Sequence, residues 1–293
     1  MLPHVSRTGH TRREVIGALG TGLAALACPT DLKAGTPLTV GLTPVFLNSD
    51  LALLDGLRTY LKESTGSDVQ LVMRRTYQEV TALVLARQLD AAWICGFPYV
   101  RHREALHLLG VPLWRGRPLY RSYLIVRSDR TVADWHGTRG DIHAFSDPDS
   151  NSGYLATAAL LAGSGMGIGE FFRSSFYTYG HRNVVRAVAA GLAQSGSVDG
   201  YVWEVLREIE PEMTIQTRVI RASDWQGFPP IVCAAGDAAS PRADRIRSAL
   251  LAMASGNAGR SVLDMLRIDG FVAEPPALYD SIAAEVDLVD ARS

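Results

Sequence analysis

From residue 36 onward the apolar positions of the chain switch repeatedly between two periods. Pro37-Leu38-Thr39-Val40-Gly41-Leu42 is a β-type run broken by Thr43-Pro44. Leu51, Leu54, Leu57 and Leu61 then recur at helical spacing, and Gly66 closes that helix. Residues 68–72 alternate as a strand. Thr76 followed by Glu79 forms a capping-box pair that opens an amphipathic helix through Leu89. Further strands are predicted at residues 90–94, within 112–127, and at 142–145, 176–179, 215–220 and 231–235. Helices are predicted over 152–162 and 183–192, and from Tyr201 to near Pro211. Helices of about 10–15 residues between strands predict an α/β protein with mainly parallel sheets. Two crossings, near residues 127–130 and 222–228, let the middle of the chain form its own lobe. The expected division is 36–127 as the first part of lobe 1, 128–224 as lobe 2, and 225–293 as the return to lobe 1.

Residues 1–35 read as an export signal. Thr11-Arg12-Arg13-Glu14-Val15-Ile16 has the twin-arginine arrangement, and the apolar run that follows, residues 15–27, is too short for a permanent membrane span. Ala25-Leu26-Ala27 supplies small residues for cleavage. Cys28 raises lipid attachment as an alternative, but Leu26 stands one place away from its usual position in a lipidation motif. The 293-residue length suits one large or two medium domains, and a net charge of −1 argues against nucleic acid as a partner. Arg115, Arg117 and Arg121 are the densest basic group and fit a solvated strand edge or an anion funnel. Three cysteines, Cys28, Cys95 and Cys233, provide no disulfide framework. Cys233 sits in an apolar strand and reads as core.

The chemistry concentrates at strand-to-helix turns. In Phe145-Ser146-Asp147-Pro148-Asp149-Ser150-Asn151-Ser152-Gly153-Tyr154 a strand ends and a hydroxyl- and amide-rich triplet opens a helix. The first N–H groups of a helix lack intrahelical partners, and its dipole adds partial positive charge there. With the hydroxyls of Ser150 and Ser152 this makes an anion cradle that needs no lysine; the same residues would also serve as an ordinary Asx turn and N-cap. No G-x-S-x-G, H-E-x-x-H or CxxC motif is present, and the glycine-rich residues 163–169 lack dinucleotide spacing.

Several ordered pieces together resemble the PhnD-like family of phosphate, phosphite and phosphonate binding proteins. They are Asp90 to Val100 with its aromatic turn, Tyr120-Arg121-Ser122-Tyr123-Leu124-Ile125-Val126, the 147–154 turn, Gly180-His181, Val198-Asp199-Gly200-Tyr201-Val202, and Phe228-Pro229-Pro230-Ile231-Val232. The resemblance implies a two-lobed type II periplasmic binding fold with a mixed, mainly parallel sheet in each lobe and a hinged cleft. It implies a monomer that carries a small oxyanion and no cofactor, working with an ABC permease or a membrane sensor histidine kinase. By that resemblance Ser150, Asn151, Ser152 and Gly153 hold the anion, His181 donates to an oxygen, and Asp199 accepts from a protonated oxygen or an amine. Phe46, Gly96, Tyr99 and Tyr201 line the pocket. Asn151 stands where the family often has threonine. Cys95, at a strand end facing the cleft, is either a small semi-buried residue or a soft ligand for trivalent arsenic, since the chain also resembles the arsenite-sensing, AioX-like branch. An enzyme on the same fold, such as a cofactor-biosynthesis lyase, is the competing class; an exported location and the lack of a spaced catalytic set weigh against it.

Overall fold

A computed structural model describes residues 35–43 and 51–292; the twin-arginine segment, Cys28 and Phe46 lie outside them. Thirteen strands run in chain order among these residues: β1 (Leu38–Leu42), β2 (Val69–Met73), β3 (Ala91–Trp93), β4 (Leu106–Leu113), β5 (Leu119–Tyr120), β6 (Ser122–Arg127), β7 (Ile142–Phe145), β8 (Ser174–Tyr177), β9 (Ser195–Asp199), β10 (Thr217–Ala222), β11 (Gln226–Gly227), β12 (Ile231–Ala234) and β13 (Gly270–Val272). They form a six-stranded sheet of order β13-β4-β12-β3-β1-β2 and a five-stranded sheet of order β10-β6-β9-β7-β8. The two-residue strands β5 and β11 pair with each other where the chain passes between the sheets. Two mixed α/β lobes joined by two short crossing segments result.

Parallel pairing is less dominant than the strand–helix alternation predicts. It is confined to β1 with β2 and β3, and to β7 with β8 and β9. The other ladders of both sheets, all of which involve β4, β6, β10 or β12, are antiparallel. Those strands carry the chain toward or away from a crossing, so they enter their sheets in the opposite sense to the strands returned by a crossover helix. Pairing also moves the first crossing. Residues 122–127 lie in the five-stranded sheet between β9 and β10, so the chain leaves the first sheet before Ser122 rather than near residue 127.

The capping box at Thr76 and Glu79 is present, and it starts the helix Tyr77–Leu85. Trp93 anchors the first core: its ring meets Phe271 edge-on at 5.5 Å, and its indole N–H donates to the Pro229 carbonyl at 2.9 Å. Asp90 ties three elements together. Its carboxylate accepts from the Thr39 N–H at 2.7 Å and hydroxyl at 2.9 Å, and from Arg242 Nη2 of the helix Pro241–Leu251 at 2.7 Å. Burial pushes this carboxyl up, but Arg242 and Thr39 more than offset that and hold it below its ordinary value. Because the folded pKa is depressed, the stabilisation is fully present above the ordinary carboxylate range and is lost as pH falls through the folded pKa. Asp90→Ala is therefore expected to cost about 2 kcal/mol at pH 7 and progressively less toward pH 3, as measured by urea unfolding at both values.

Candidate functional site

At the end of β7 the chain turns through Asp147. One oxygen of its carboxylate accepts the Asp149 N–H at 2.8 Å, closing an Asx turn; the other accepts the Tyr77 N–H at 3.2 Å, from the first turn of a helix on the six-stranded lobe. Ser150 caps the next helix by accepting the Gly153 N–H at 3.0 Å. The first turn is wide: Leu155 N–H donates to the Ser150 carbonyl, five residues back, at 3.0 Å before regular helix resumes over Ala156–Gly163. Gly153 is required at this bend. A Cβ there would lie 1.8 Å from Ser146 Oγ and 3.0 Å from the His181 ring.

Across from the turn, Cys95 precedes the short helix Gly96–Arg101 and accepts the Asn151 N–H on its sulfur at 3.1 Å. Burial pushes its thiol up to about 11, so it is neutral at physiological pH. The Asn151 amide donates to the Tyr120 hydroxyl at 3.0 Å and to Gln226 Oε1 at 2.8 Å, both on the crossing strands β5 and β11. Ser122 Oγ donates to the Ser152 carbonyl at 2.6 Å. His181 Nδ1 accepts the Asp199 N–H at 3.1 Å, which places the ring proton on Nε2, 3.1 Å from the Tyr77 hydroxyl. Burial lowers His181 to about 3, so the ring is uncharged. Asp199 caps the helix Gly200–Ile209 through the Val202 N–H at 3.2 Å.

Both lobes and the crossing thus converge on one buried cluster of Tyr77, Cys95, Tyr120, Ser150, Asn151, Ser152, His181, Asp199 and Gln226. Three side-chain oxygens there, Ser146 Oγ, Asn151 Oδ1 and Ser152 Oγ, are buried without a hydrogen bond of normal geometry among the described residues. The Ser152 hydroxyl is nevertheless near enough to lower the titrations of Asp199 and Tyr120. The structure does not bring every expected residue into this cluster. Tyr99 packs edge-on against Tyr279 at 4.8 Å, and Gly96 lies against Ile282 and the same Tyr279. Tyr201 donates its hydroxyl to the Leu266 carbonyl and packs on Trp114 and Phe228. In their place stand Tyr77, Tyr120 and Gln226, which the sequence does not single out. Tyr77 carried one usable signal, its position directly after the N-cap Thr76.

None of the hydrogen bonds that join the cluster comes from an arginine or lysine, and no group of three or more metal-ligating side chains occurs among the described residues. Burial pushes Asp199 up to about 7, against the Val202 and Tyr201 N–H groups, which hold it down. A carboxyl raised by folding contributes stability that is full below its unfolded pKa and is lost as pH rises through its folded one. Asp199→Asn should therefore gain on the unsubstituted protein as pH rises from 4 to 7, by at most about 1.4 kcal/mol per pH unit. Thermal unfolding of both proteins across that range measures it, and a pH-independent difference would contradict the burial of the charge.

The fold is that of a two-lobed α/β protein, with a buried polar cluster where segments of both lobes meet. A family model described as ABC transporter, phosphonate, periplasmic substrate-binding protein matches residues 40–279. The chain belongs to this family of phosphonate substrate-binding proteins. It is 30% identical over 173 residues to the phosphate-import protein PhnD of Mycolicibacterium smegmatis, a match that spans 54% of each chain, so it covers about half the length of that relative. Among solved structures it is similar to a binding-protein component of an ABC phosphonate transporter from Pseudomonas aeruginosa (TM-score 0.79, 18% identity, 87% of each chain). It is also similar to PhnD1 from Prochlorococcus marinus in complex with methylphosphonate (TM-score 0.76, 16% identity, 86% of this chain and 98% of that one). No helix among the described residues is long and apolar enough to cross a membrane.

Proposed function

We propose that the buried cluster is a ligand site and that the protein captures a small oxyanion or oxyacid between its lobes for delivery to a membrane partner. The supporting observation is that Ser146 Oγ, Asn151 Oδ1 and Ser152 Oγ are buried without a hydrogen bond of normal geometry among the described residues, where segments of both lobes meet. Buried polar groups ordinarily find a partner, and one left without costs about 1–3 kcal/mol. A bound oxygen-rich ligand supplies those partners. Phosphate, phosphite or an alkylphosphonate handed to an ABC permease is the reading that the family favours. Export by the twin-arginine route places the protein where it meets such ligands.

Cys95 favours a second ligand. Its sulfur already meets the turn at Asn151 N–H, and a thiol bonds strongly to trivalent arsenic but contributes little to a hard phosphate. In that case the partner is a sensor histidine kinase. Calorimetry with phosphate, phosphite, methylphosphonate and arsenite decides between the two. If arsenite is the ligand, Cys95→Ser abolishes its binding, whereas unchanged arsenite affinity in that variant removes the thiol from the site. A substrate converted during incubation, instead of merely bound, would contradict the binding role.

A further inference from the structure

We infer that Glu285 is a positioning residue for the ligand site: its carboxylate, acting through Gln226, locks the Asn151 amide with its carbonyl toward the ligand, and its protonation releases the lock. The inference rests on the proposal that the cluster is the ligand site. A chain of two buried amides carries it. Asn151 donates both N–H bonds away from the ligand, to the Tyr120 hydroxyl and to Gln226 Oε1, and its Oδ1 is left buried without a hydrogen bond of normal geometry. The two ends of an amide have nearly the same shape, so partners alone decide which way it faces. Tyr120 does not decide, because a hydroxyl both donates and accepts. Gln226 does, and it is set from behind by Glu285 on the C-terminal helix Asp280–Asp290, which packs on β11 and on the 151–155 turn. Burial pushes Glu285 up to about 7 and Gln226 holds it down. An amide stabilises a carboxylate only through its N–H, so the Gln226 carbonyl is left to Asn151.

No cation competes for Glu285. Of the elements packed on its helix, Gly96–Arg101 brings Tyr99 and Arg101, and Arg101 is held in two hydrogen bonds by Asp290. The helix Ala156–Gly163 brings no titratable group, and the two turns bring Tyr154 and Tyr279, the latter donating to the Phe228 carbonyl. Asp224, just before β11, adds to the rise of Glu285, and its own helix adds only Asp280, Asp287 and Asp290. An ionised Glu285 therefore has Gln226 N–H as its partner and fixes both amides. A neutral carboxyl presents a donor and an acceptor, so both amides are then free to turn and Asn151 is able to offer the ligand an N–H. A bare ligand oxygen against the locked carbonyl would oppose lone pairs in a buried space. Protonated oxygens suit either state, and bare ones suit only the released state.

The test is calorimetry of the purified full-length protein, Glu285→Gln and Gln226→Met at pH 5.5 and 8.5. Phosphite and methylphosphonate lose their single O–H group across this interval, whereas arsenite keeps its three. Comparing variant with parent at one pH cancels the ligand's own titration. At pH 5.5 Glu285→Gln should match the parent. At pH 8.5 it should bind phosphite more tightly by about fivefold to thirtyfold, the upper figure being the cost of reprotonating there a group that titrates at about 7. Methylphosphonate should shift in the same direction, and arsenite should not shift. Gln226→Met, which cuts the relay, should gain on the parent between the two pH values in the same sense, and the double variant should gain no further. A Glu285 that only supports packing would change affinity equally at both pH values, and that result overturns the lock while leaving the ligand site standing. Binding of neither phosphite nor methylphosphonate also overturns the lock; failure of arsenite and phosphate as well overturns the site.

Discussion

Ser150→Ala combined with Ser152→Ala is expected to weaken ligand binding at least a hundredfold. Ser150 Oγ holds the Gly153 N–H and so shapes the turn, whereas Ser152 Oγ is buried beside Asp199 and Tyr120 without a hydrogen bond of normal geometry. Each hydrogen bond to a charged or strongly polar ligand contributes about 1.5–3 kcal/mol, so the loss of two corresponds to roughly 3–6 kcal/mol and, at about 1.4 kcal/mol per factor of ten, to a fall of between about a hundredfold and ten-thousandfold. The effect on folding is smaller. Losing an N-cap costs about 1 kcal/mol, and removing the unpaired Ser152 hydroxyl relieves a buried polar group. Calorimetry beside thermal unfolding separates the two effects. Near-normal binding by the double variant would mean that the ligand is held elsewhere.

Gly153→Val should have the second largest effect. Its Cβ would overlap Ser146 Oγ, and the position 2.7 Å from Ser146 Cβ shows that rotating the hydroxyl does not clear the space. The His181 ring blocks the other side at 3.0 Å. The turn must therefore move, and overpacking of this kind costs about 1–3 kcal/mol. Displacement of the turn also breaks the cross-lobe contacts from Asn151 to Cys95 and from Asp147 to Tyr77. Binding should be lost to beyond detection while the protein still folds, with a melting temperature lowered by several degrees. Small-angle scattering should show a more open average shape. A variant as compact as the parent would mean that these contacts do not hold the lobes together.

The sequence carried much of this arrangement, because the determinants are local. The helix start at Thr76 follows from a capping pair three residues apart, and the 147–153 turn from an Asx turn followed by a hydroxyl N-cap. Asp199 and His181 were reachable through the ordered resemblance to the PhnD-like family. What stayed hidden was set by register between distant segments. Tyr120 and Gln226 become neighbours only because β5 and β11 pair across the crossing, a ladder of two residues with no apolar period to announce it. Tyr201 was expected at the pocket through the same resemblance. Residues two apart at a helix start point in different directions, however, and Tyr201 turns toward Leu266 while Asp199 faces the cluster. Strand direction was over-read for a similar reason: alternation of strands and helices reveals crossover helices, but not the sense in which a strand that has crossed between sheets re-enters.

The central claim is that ligand is held between the lobes by the turn after β7. A crystal structure of the protein grown with phosphate at pH 5.5 tests it most directly. The account predicts tetrahedral density within hydrogen-bonding distance of Ser152 Oγ and the Ser152 N–H, with Asp199 and the Asn151 carbonyl each facing a ligand oxygen. Phosphate found only on surface arginines such as Arg117, with the buried cluster unchanged, would contradict it.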